Sequence, residues 1–276
     1  MARHQSNRVP DISVVVPVHN EADNIAPLLA EIGAVLRGLT QYEVVVVDDG
    51  STDATPRVLK ECATRYPGLR PLRHERNSGQ SAALATGVRE ARARWIVTLD
   101  GDGQNDPADI PALLERTREA AEAESPAMIA GWRVERRDTW LKRISSKIAN
   151  GVRGWILNDH TPDVGCGLKV FRRDVFLKLP QFDHMHRFLP ALFQRAGGAV
   201  ISVPVTHRHR TKGRSHYGLH DRLWVGIVDM FGVLWLGKRM KLTPFMDLAG
   251  SAEPSPHDNG ARTAGGPIAP GEGAGA

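Results

Sequence analysis

Residues Trp95 to Pro107 read WIVTLDGDGQNDP. The stretch opens as a short apolar run, Trp95-Ile96-Val97-Thr98-Leu99, and ends in Asp100, Asp102, Gln104 and Asp106. A hydrophobic strand that delivers carboxylates to its C-terminal tip suits a divalent cation, because hard cations such as Mg²⁺ and Mn²⁺ take oxygen ligands and keep room for water and substrate phosphates. In open α/β sheets, ligands sit outside the carboxyl ends of the strands. The stretch therefore predicts an α/β sheet with a metal-dependent site at one edge.

The flanking sequence repeats the pattern. Ile12 to Val18 is a β-branched run of the kind buried on both faces. It stops at His19-Asn20-Glu21, and Ile25, Leu28, Leu29, Ile32, Val35 and Leu36 then recur at helical spacing within Ala22 to Leu36. Tyr42 to Val47 is a second strand, ending in Asp48-Asp49-Gly50-Ser51-Thr52-Asp53, with a helix from Ala54 to Arg65. Leu69 to Glu75 is a weaker third strand. Arg76 to Gln80 is a polar entry to a helix that runs through Glu90. Pro107 suits the first turn of a helix reaching about Glu122, and Ala127 to Ala130 is a fifth strand. Strands alternating with helices predict a doubly wound, mostly parallel sheet with right-handed crossovers. Polar clusters after strands one, two and four converge on one edge, which is a nucleotide-site layout. It lacks both GxGxxG and GxxxxGK[ST], so phosphate charge has to be met by metal and basic side chains.

Beyond the fifth strand the composition turns basic. Arg133 to Arg153 holds seven basic residues against two acidic ones. Trp140, Ile144, Ile148 and Val152 at near-helical spacing predict an amphipathic basic helix there. Cys166 to Phe171 reads as a strand, His186 to Arg195 as a helix and Ala199 to Thr206 as a strand running into a basic loop from His207 to Tyr217. Asp221 to Lys241 is apolar and aromatic, interrupted by Asp229 and closed by Lys238-Arg239-Met240-Lys241; its length and basic end suit a helix lying in a membrane interface. From about Pro244 the chain is rich in Gly, Pro, Ala and Ser and is expected to be disordered. The expected organisation is a flexible 1–10, a catalytic domain over 11–220, an amphipathic helix over 221–243 and a disordered tail over 244–276.

The 276 residues carry a net charge of +5, which favours polyanionic partners without choosing among them. Cys62 and Cys166 build no disulfide framework and read as free thiols in a reducing cytosol. The opening MARHQSNRVP has no apolar run, so no signal peptide is expected, and no stretch reaches the roughly 18–20 apolar residues of a membrane span.

With the DDGSTD loop, the acidic strand end and Arg210 to Gly218 (RTKGRSHYG) in hand, the chain resembles the family 2 glycosyltransferases of GT-A fold over roughly residues 10 to 240. Within them it is similar to dolichol-phosphate mannose synthase and the bacterial undecaprenyl-phosphate glycosyltransferases. The resemblance implies that Pro17, His19 and Glu21 match a first nucleotide-binding motif, and that Asp49 recognises the nucleoside with Ser51 and Asp53 completing its loop. Asp100, Asp102 and Gln104 match the motif that holds Mg²⁺ or Mn²⁺ on the donor diphosphate, with Asp102 and Arg210 as catalytic groups. Arg133, Lys212, Arg214, Ser215 and His216 then serve the phosphates and the acceptor. His216 stands where the family carries Lys. A histidine is only partly charged at neutral pH, so Lys212 or Arg214 takes over the clamp or the clamp is weaker.

The reaction implied is transfer of a sugar, with inversion, from a nucleotide-diphosphate donor to a polyprenyl phosphate. A phosphate monoester has a second pKa of about 6 and is already a nucleophile, so no dedicated base is required. The resemblance places the enzyme at the cytoplasmic face of the cell membrane, peripheral, on an anionic surface, alone, as a homo-oligomer or with a membrane-protein partner, and without nucleic acid. Two alternatives are a GT-A enzyme with another acceptor and a non-enzymatic basic protein binding membrane or nucleic acid. The second leaves the acidic strand tips unexplained. His207 and His209 lack partners at zinc spacing, and His184 and His186 read as surface residues.

Overall fold

The computed structural model describes residues 9–122, 127–134, 161–208 and 219–239. Among them, β1 (Ile12–Val18), β2 (Tyr42–Asp48), β3 (Leu69–Arg73), β4 (Trp95–Thr98), β5 (Ala127–Arg133), β6 (Lys169–Arg172) and β7 (Ala199–Val205) form one sheet in the order β3-β2-β1-β4-β6-β5-β7. The helices are α1 (Ala22–Leu36), α2 (Thr55–Arg65), α3 (Gln80–Glu90), α4 (Ile110–Glu122), α5 (Arg173–Phe176), α6 (Leu189–Arg195) and α7 (Leu219–Arg239).

The β-branched runs make the central strands two-faced. Val14, Val16 and Val18 of β1 and Val44 and Val46 of β2 join a core with α1 and Leu59 of α2. Val15, Val45 and Val47 face the other way, into a core with α3, α5 and α6. The side-chain period of two in a strand dictates this split, and helices on both faces bury it. The chain winds outward from β1 through β2 to β3, then returns to place β4 on the other side of β1. That reversal leaves a crevice at the carboxyl ends of β1 and β4, where α/β folds bind ligands.

The sheet is mostly parallel, as expected, with one reversed strand. β6 pairs antiparallel with both β4 and β5. Its beginning therefore lies beside the end of β4, where Thr98 pairs with Lys169. The strand expected from Cys166 starts instead at Lys169. The preceding residues are spent on a tight approach to the β4 loop: a Cβ on Gly167 would fall on the Asp100 carboxyl group and within 2.6 Å of Asn105 Oδ1. Similarly, the helix expected from Pro107 begins as a 3-10 turn, Pro107–Asp109, with Asp106 accepting from Ala108 N at 2.9 Å as its cap. The helix expected from His186 is split into a 3-10 turn, Met185–Arg187, and α6.

The C-terminal apolar stretch is the helix α7, and its faces differ. Val233 is buried with the α3–α6 core, with Met230 and Leu234 packed beside it. Asp229 Oδ2 lies 3.0 Å from His184 Nδ1, and Gly237 leaves room for the guanidinium of Arg195. Val228, Phe231 and Trp235 are exposed. No helix among the described residues is long and apolar enough to cross a membrane. The expected basic helix within 133–153, save Arg133 and Val134, and the tail from 244 lie outside the described residues.

Candidate active site

Three loops meet at the crevice, and each is fixed by backbone donors. After β1, Asn20 takes the left-handed conformation (φ 56°). It receives Thr52 N at 2.8 Å on its Oδ1, while its own N–H donates to Ser51 Oγ at 2.8 Å. His19 Nδ1 lies 2.8 Å from Asp49 O. Glu21 is buried; its backbone N–H donates to Thr55 Oγ1, and Asn24 Nδ2 donates to its carboxylate at 2.6 Å. Asp48 caps the next turn by accepting from Ser51 N at 2.9 Å, and Asp53 accepts from Thr55 N at 2.9 Å. Ser51 is buried, and Pro17 lines the cavity described below.

The Asp49 carboxylate has a tighter assignment than nucleoside recognition alone requires. It is 3% exposed. Its Oδ1 accepts from Ser78 N at 2.9 Å and faces His74 Nδ1 at 2.8 Å, and its Oδ2 accepts from Gly79 N at 2.8 Å. Asp49 thus holds the Asn77–Gly79 loop at the mouth of the crevice. Gly79 itself has φ 90°, a conformation that favours glycine. Gly50, with φ 67°, packs so closely that a Cβ would come within 2.5 Å of Asn77 N.

The next residue along, Gln80, opens α3 and donates from Nε2 to Asp100 Oδ1 at 2.9 Å. Asp100 N donates to Asn105 Oδ1 at 3.1 Å, and Asp102 Oδ1 accepts from Gln104 N at 3.1 Å. Burial and the neighbouring Asp102 push the Asp100 carboxyl up to about 6, against the pull of Lys169 and Arg133. Two carboxylates held this close, one of them under a glycine and reluctant to ionise, form the environment a divalent cation relieves.

Among the described residues no group of three or more His, Cys, Asp or Glu is arranged to hold a metal ion. A pair of carboxylates nonetheless suits Mg²⁺ or Mn²⁺, which draw their remaining ligands from water and substrate phosphates. Asp100 Oδ2 and Asp102 Oδ2 make no hydrogen bond among the described residues. The donor set fits such an ion.

Opposite stands Lys169, 5% exposed, which sequence reasoning passed over. Its Nζ donates to Cys166 O, and burial lowers its pKa, opposed by Cys166, Asp100 and Asp163. Its place is not marked in the local sequence, because Lys169 reaches this edge from the start of a reversed strand, whereas the other groups lie at the C-terminal ends of strands. Arg133, at the end of β5, is bound in bidentate fashion by Asp163 (Nε–Oδ2 2.6 Å, Nη2–Oδ1 3.0 Å). Such a pair fixes the guanidinium geometry as well as its charge.

A cavity of about 210 Å³ lies between these groups, lined by Gln80, Asp100, Gly167, Lys169, His186 and Arg187 among others. His186 is therefore not the surface residue the sequence suggested. The reversed strand and the Met185–Arg187 turn bring it into the wall, and burial pushes its imidazole down to about 3. A neighbouring cavity of about 430 Å³ lies along α3, past Ser81, Ala82, Ala85 and Arg89.

The segment after β7 is stitched to the acidic loop. Arg208 N donates to Gln104 O at 3.0 Å, Asn105 and His207 form an antiparallel bridge, and the Arg208 guanidinium pairs with Asp106 at 2.7 Å and Glu31 at 2.6 Å. Arg210, Lys212, Gly213, Arg214, Ser215 and His216 lie outside the described residues; the last residue described before them, Arg208, lies beside Gln104.

The model of "Glycosyl transferase family 2" matches residues 13–179, which include all three crevice loops and the start of β6. The chain belongs to glycosyl transferase family 2. Among its family 2 relatives, a dodecaprenyl-phosphate galacturonate synthase of Rhizobium johnstonii is 36% identical over 85% of this chain and 69% of its own length. An undecaprenyl-phosphate 4-deoxy-4-formamido-L-arabinose transferase of Edwardsiella ictaluri is 34% identical over 75% of this chain and 63% of its own. The chain thus spans about two thirds of the length of these relatives. In fold it resembles a mannosyltransferase of Pyrobaculum calidifontis solved with GDP-Man and Mn²⁺ (TM-score 0.61, 23% identity, 86% of this chain and 67% of that one). It also resembles glucosyl-3-phosphoglycerate synthase of Mycobacterium tuberculosis with Mn²⁺ and UDP (TM-score 0.62, 21% identity, 86% of this chain and 85% of that one).

Proposed function

We propose that this chain transfers a sugar from a nucleotide-diphosphate donor to a polyprenyl phosphate, with inversion at the anomeric carbon. The observation that carries the reading is Asp100, raised by burial and by the charge of Asp102, in the wall of a cavity that buried Lys169 also lines. Relatives above 30% identity are named for transfer to dodecaprenyl and undecaprenyl phosphate.

Asp100 and Asp102 would hold Mg²⁺ or Mn²⁺, which as a Lewis acid offsets the charge on the departing diphosphate. The Asn20, Asp48–Asp53 and Asn77–Gly79 loops frame the nucleoside, the last through its grip on Asp49. Gln80 orients Asp100. With phosphate bound, Lys169 supplies a positive charge at low dielectric, where it stabilises phosphate oxygens more than it would in water, and the phosphate offsets the burial that lowers its pKa. Arg133, aligned by Asp163, adds a second, and the Arg210–His216 loop a third. An acceptor phosphate oxygen attacks the anomeric carbon, the bond from that carbon to the diphosphate oxygen breaks, and the nucleoside diphosphate leaves with the electron pair. The acceptor is already ionised at neutral pH, so no side chain has to take a proton.

α7 supports a peripheral position at the cytoplasmic membrane face. Its inner face is anchored in the domain, while Val228, Phe231 and Trp235 face outward and Lys238 and Arg239 close the helix. Aromatic and apolar residues with a basic end suit an anionic lipid surface.

An acceptor panel tests the reading. With a matched nucleotide sugar and Mn²⁺, undecaprenyl phosphate accepts the sugar and undecaprenol does not. Equal use of the alcohol would overturn the phosphate-nucleophile mechanism. Preference for phosphoglyceric acid, the ligand of a fold neighbour, would move the chain to a soluble acceptor.

A further inference from the structure

Ser81 follows Gln80 in the first turn of α3, and its hydroxyl is committed to one residue. Its Oγ accepts from His186 N at 3.3 Å and lies 2.8 Å from His186 Nδ1. A hydroxyl carries one donor and two acceptor sites, so Ser81 Oγ meets Nδ1 in either tautomer, and the contact holds the ring by that nitrogen. His186 lines the cavity beside Asp100, and Ser81 does not. The ring is therefore held by Nδ1, which leaves Nε2 for a ligand in the cavity. Consecutive residues of one helix turn fix the two walls: Gln80 holds Asp100 and Ser81 holds His186.

We propose that His186 is a substrate-contact residue whose Nε2 hydrogen-bonds a hydroxyl of the sugar being transferred, and so helps to select that sugar. The inference rests on the sugar-transfer reading above. The cavity, about 210 Å³, has Asp100 in its wall, so the sugar of a donor whose diphosphate is held at Asp100 would lie beside it. The cavity's apolar walls, Leu84, Leu99 and Leu189, suit the faces of a sugar ring. Lys169 and Arg187 line the same cavity and bring positive charge to it. A neutral imidazole adds direction without competing for the diphosphate. A site built to hydrogen-bond a substrate hydroxyl rejects the analogue that lacks it, because the site's polar group is left unpaired.

Binding separates this proposal from the transfer reading, since it needs neither acceptor nor turnover. Dissociation constants are measured for the nucleotide sugar and for the nucleoside diphosphate alone, each with Mn²⁺, on wild type, His186→Ala and His186→Gln. In His186→Ala the nucleotide sugar weakens about tenfold, the loss expected for one neutral hydrogen bond, while the nucleoside diphosphate binds unchanged. His186→Gln, which keeps an N–H donor, recovers part of the loss. In turnover the donor KM rises and the acceptor KM does not. Equal weakening of both nucleotides, an effect confined to the acceptor KM, or no effect at all would each overturn the proposal. If the wild type binds nucleotide sugar but transfers nothing to polyprenyl phosphate, the acceptor reading falls and the sugar contact still stands or falls on the two dissociation constants.

Discussion

Gln80 holds Asp100: its side-chain amide donates to Oδ1 at 2.9 Å from the first position of α3. The residue before it gives its backbone N–H to Asp49 at 2.8 Å, and the residue after it binds His186. Three consecutive residues thus tie together the β2 loop, the β4 loop and the Met185–Arg187 turn. Gln80→Ala is expected to lower kcat several-fold at saturating Mn²⁺ and to raise the Mn²⁺ concentration needed for half-maximal rate, with a melting temperature within a few degrees of wild type. An unchanged metal requirement would mean that the amide does not orient the carboxylate.

Asp100 trades stability for function. Its folded-state value of about 6 lies above the ordinary 3.8, so between those values the folded protein binds more protons than the unfolded chain. Stability from this group is greatest below about pH 4 and falls as pH rises through about 6. The cost of ionising it in the metal-free protein is at most about 3 kcal/mol. Asp100→Asn, neutral and of the same shape, should raise the metal-free melting temperature at pH 7 while abolishing transfer. Added Mn²⁺ should stabilise wild type more than the variant, as thermal unfolding with and without EDTA reads out.

Gly167→Ala tests the cradle itself. The added Cβ has no room between the Asp100 carboxyl group and Asn105 Oδ1. Overpacking of this kind costs about 1–3 kcal/mol. Activity should fall at least as far as in Gln80→Ala. A variant with full activity and wild-type stability would show that the β4 loop moves aside freely.

α7 calls for point changes rather than truncation. Val233 is 1% exposed, and burial of such a side chain contributes roughly 1.5–3 kcal/mol, so removing the helix unfolds part of the domain as well as any anchor. Phe231→Ser with Trp235→Ser alters the outer face alone. The double variant should keep its melting temperature and its binding of nucleotide sugar, and lose most sedimentation with anionic vesicles. Unchanged sedimentation would exclude this face as the membrane contact.

Most of the sheet was legible in the sequence because buried parallel strands announce themselves. Ile12–Val18 and Tyr42–Asp48 are β-branched runs bounded by polar turns, and the helices after them carry a clear period. The carboxylates were legible for the same reason: nothing in a core explains Asp100 or Asp49 at a strand tip. The contacts of Asp49 with the backbone N–H groups of residues 78 and 79 and with His74 are revealed by no local pattern. Lys169 and His186 were missed because both depend on β6 running backward. A four-residue strand carries no direction in its composition, and His186 has no periodic partner to mark it as inward-facing.

The most direct test of the central claim is transfer of radiolabel from a panel of nucleotide sugars into the organic phase by the purified protein with undecaprenyl phosphate in detergent. The account predicts that one donor labels the lipid in the presence of Mg²⁺ or Mn²⁺, that EDTA abolishes the label, and that Asp102→Asn fails to restore it with added metal. Labelling that persists undiminished in EDTA or in the Asp102→Asn protein would contradict it.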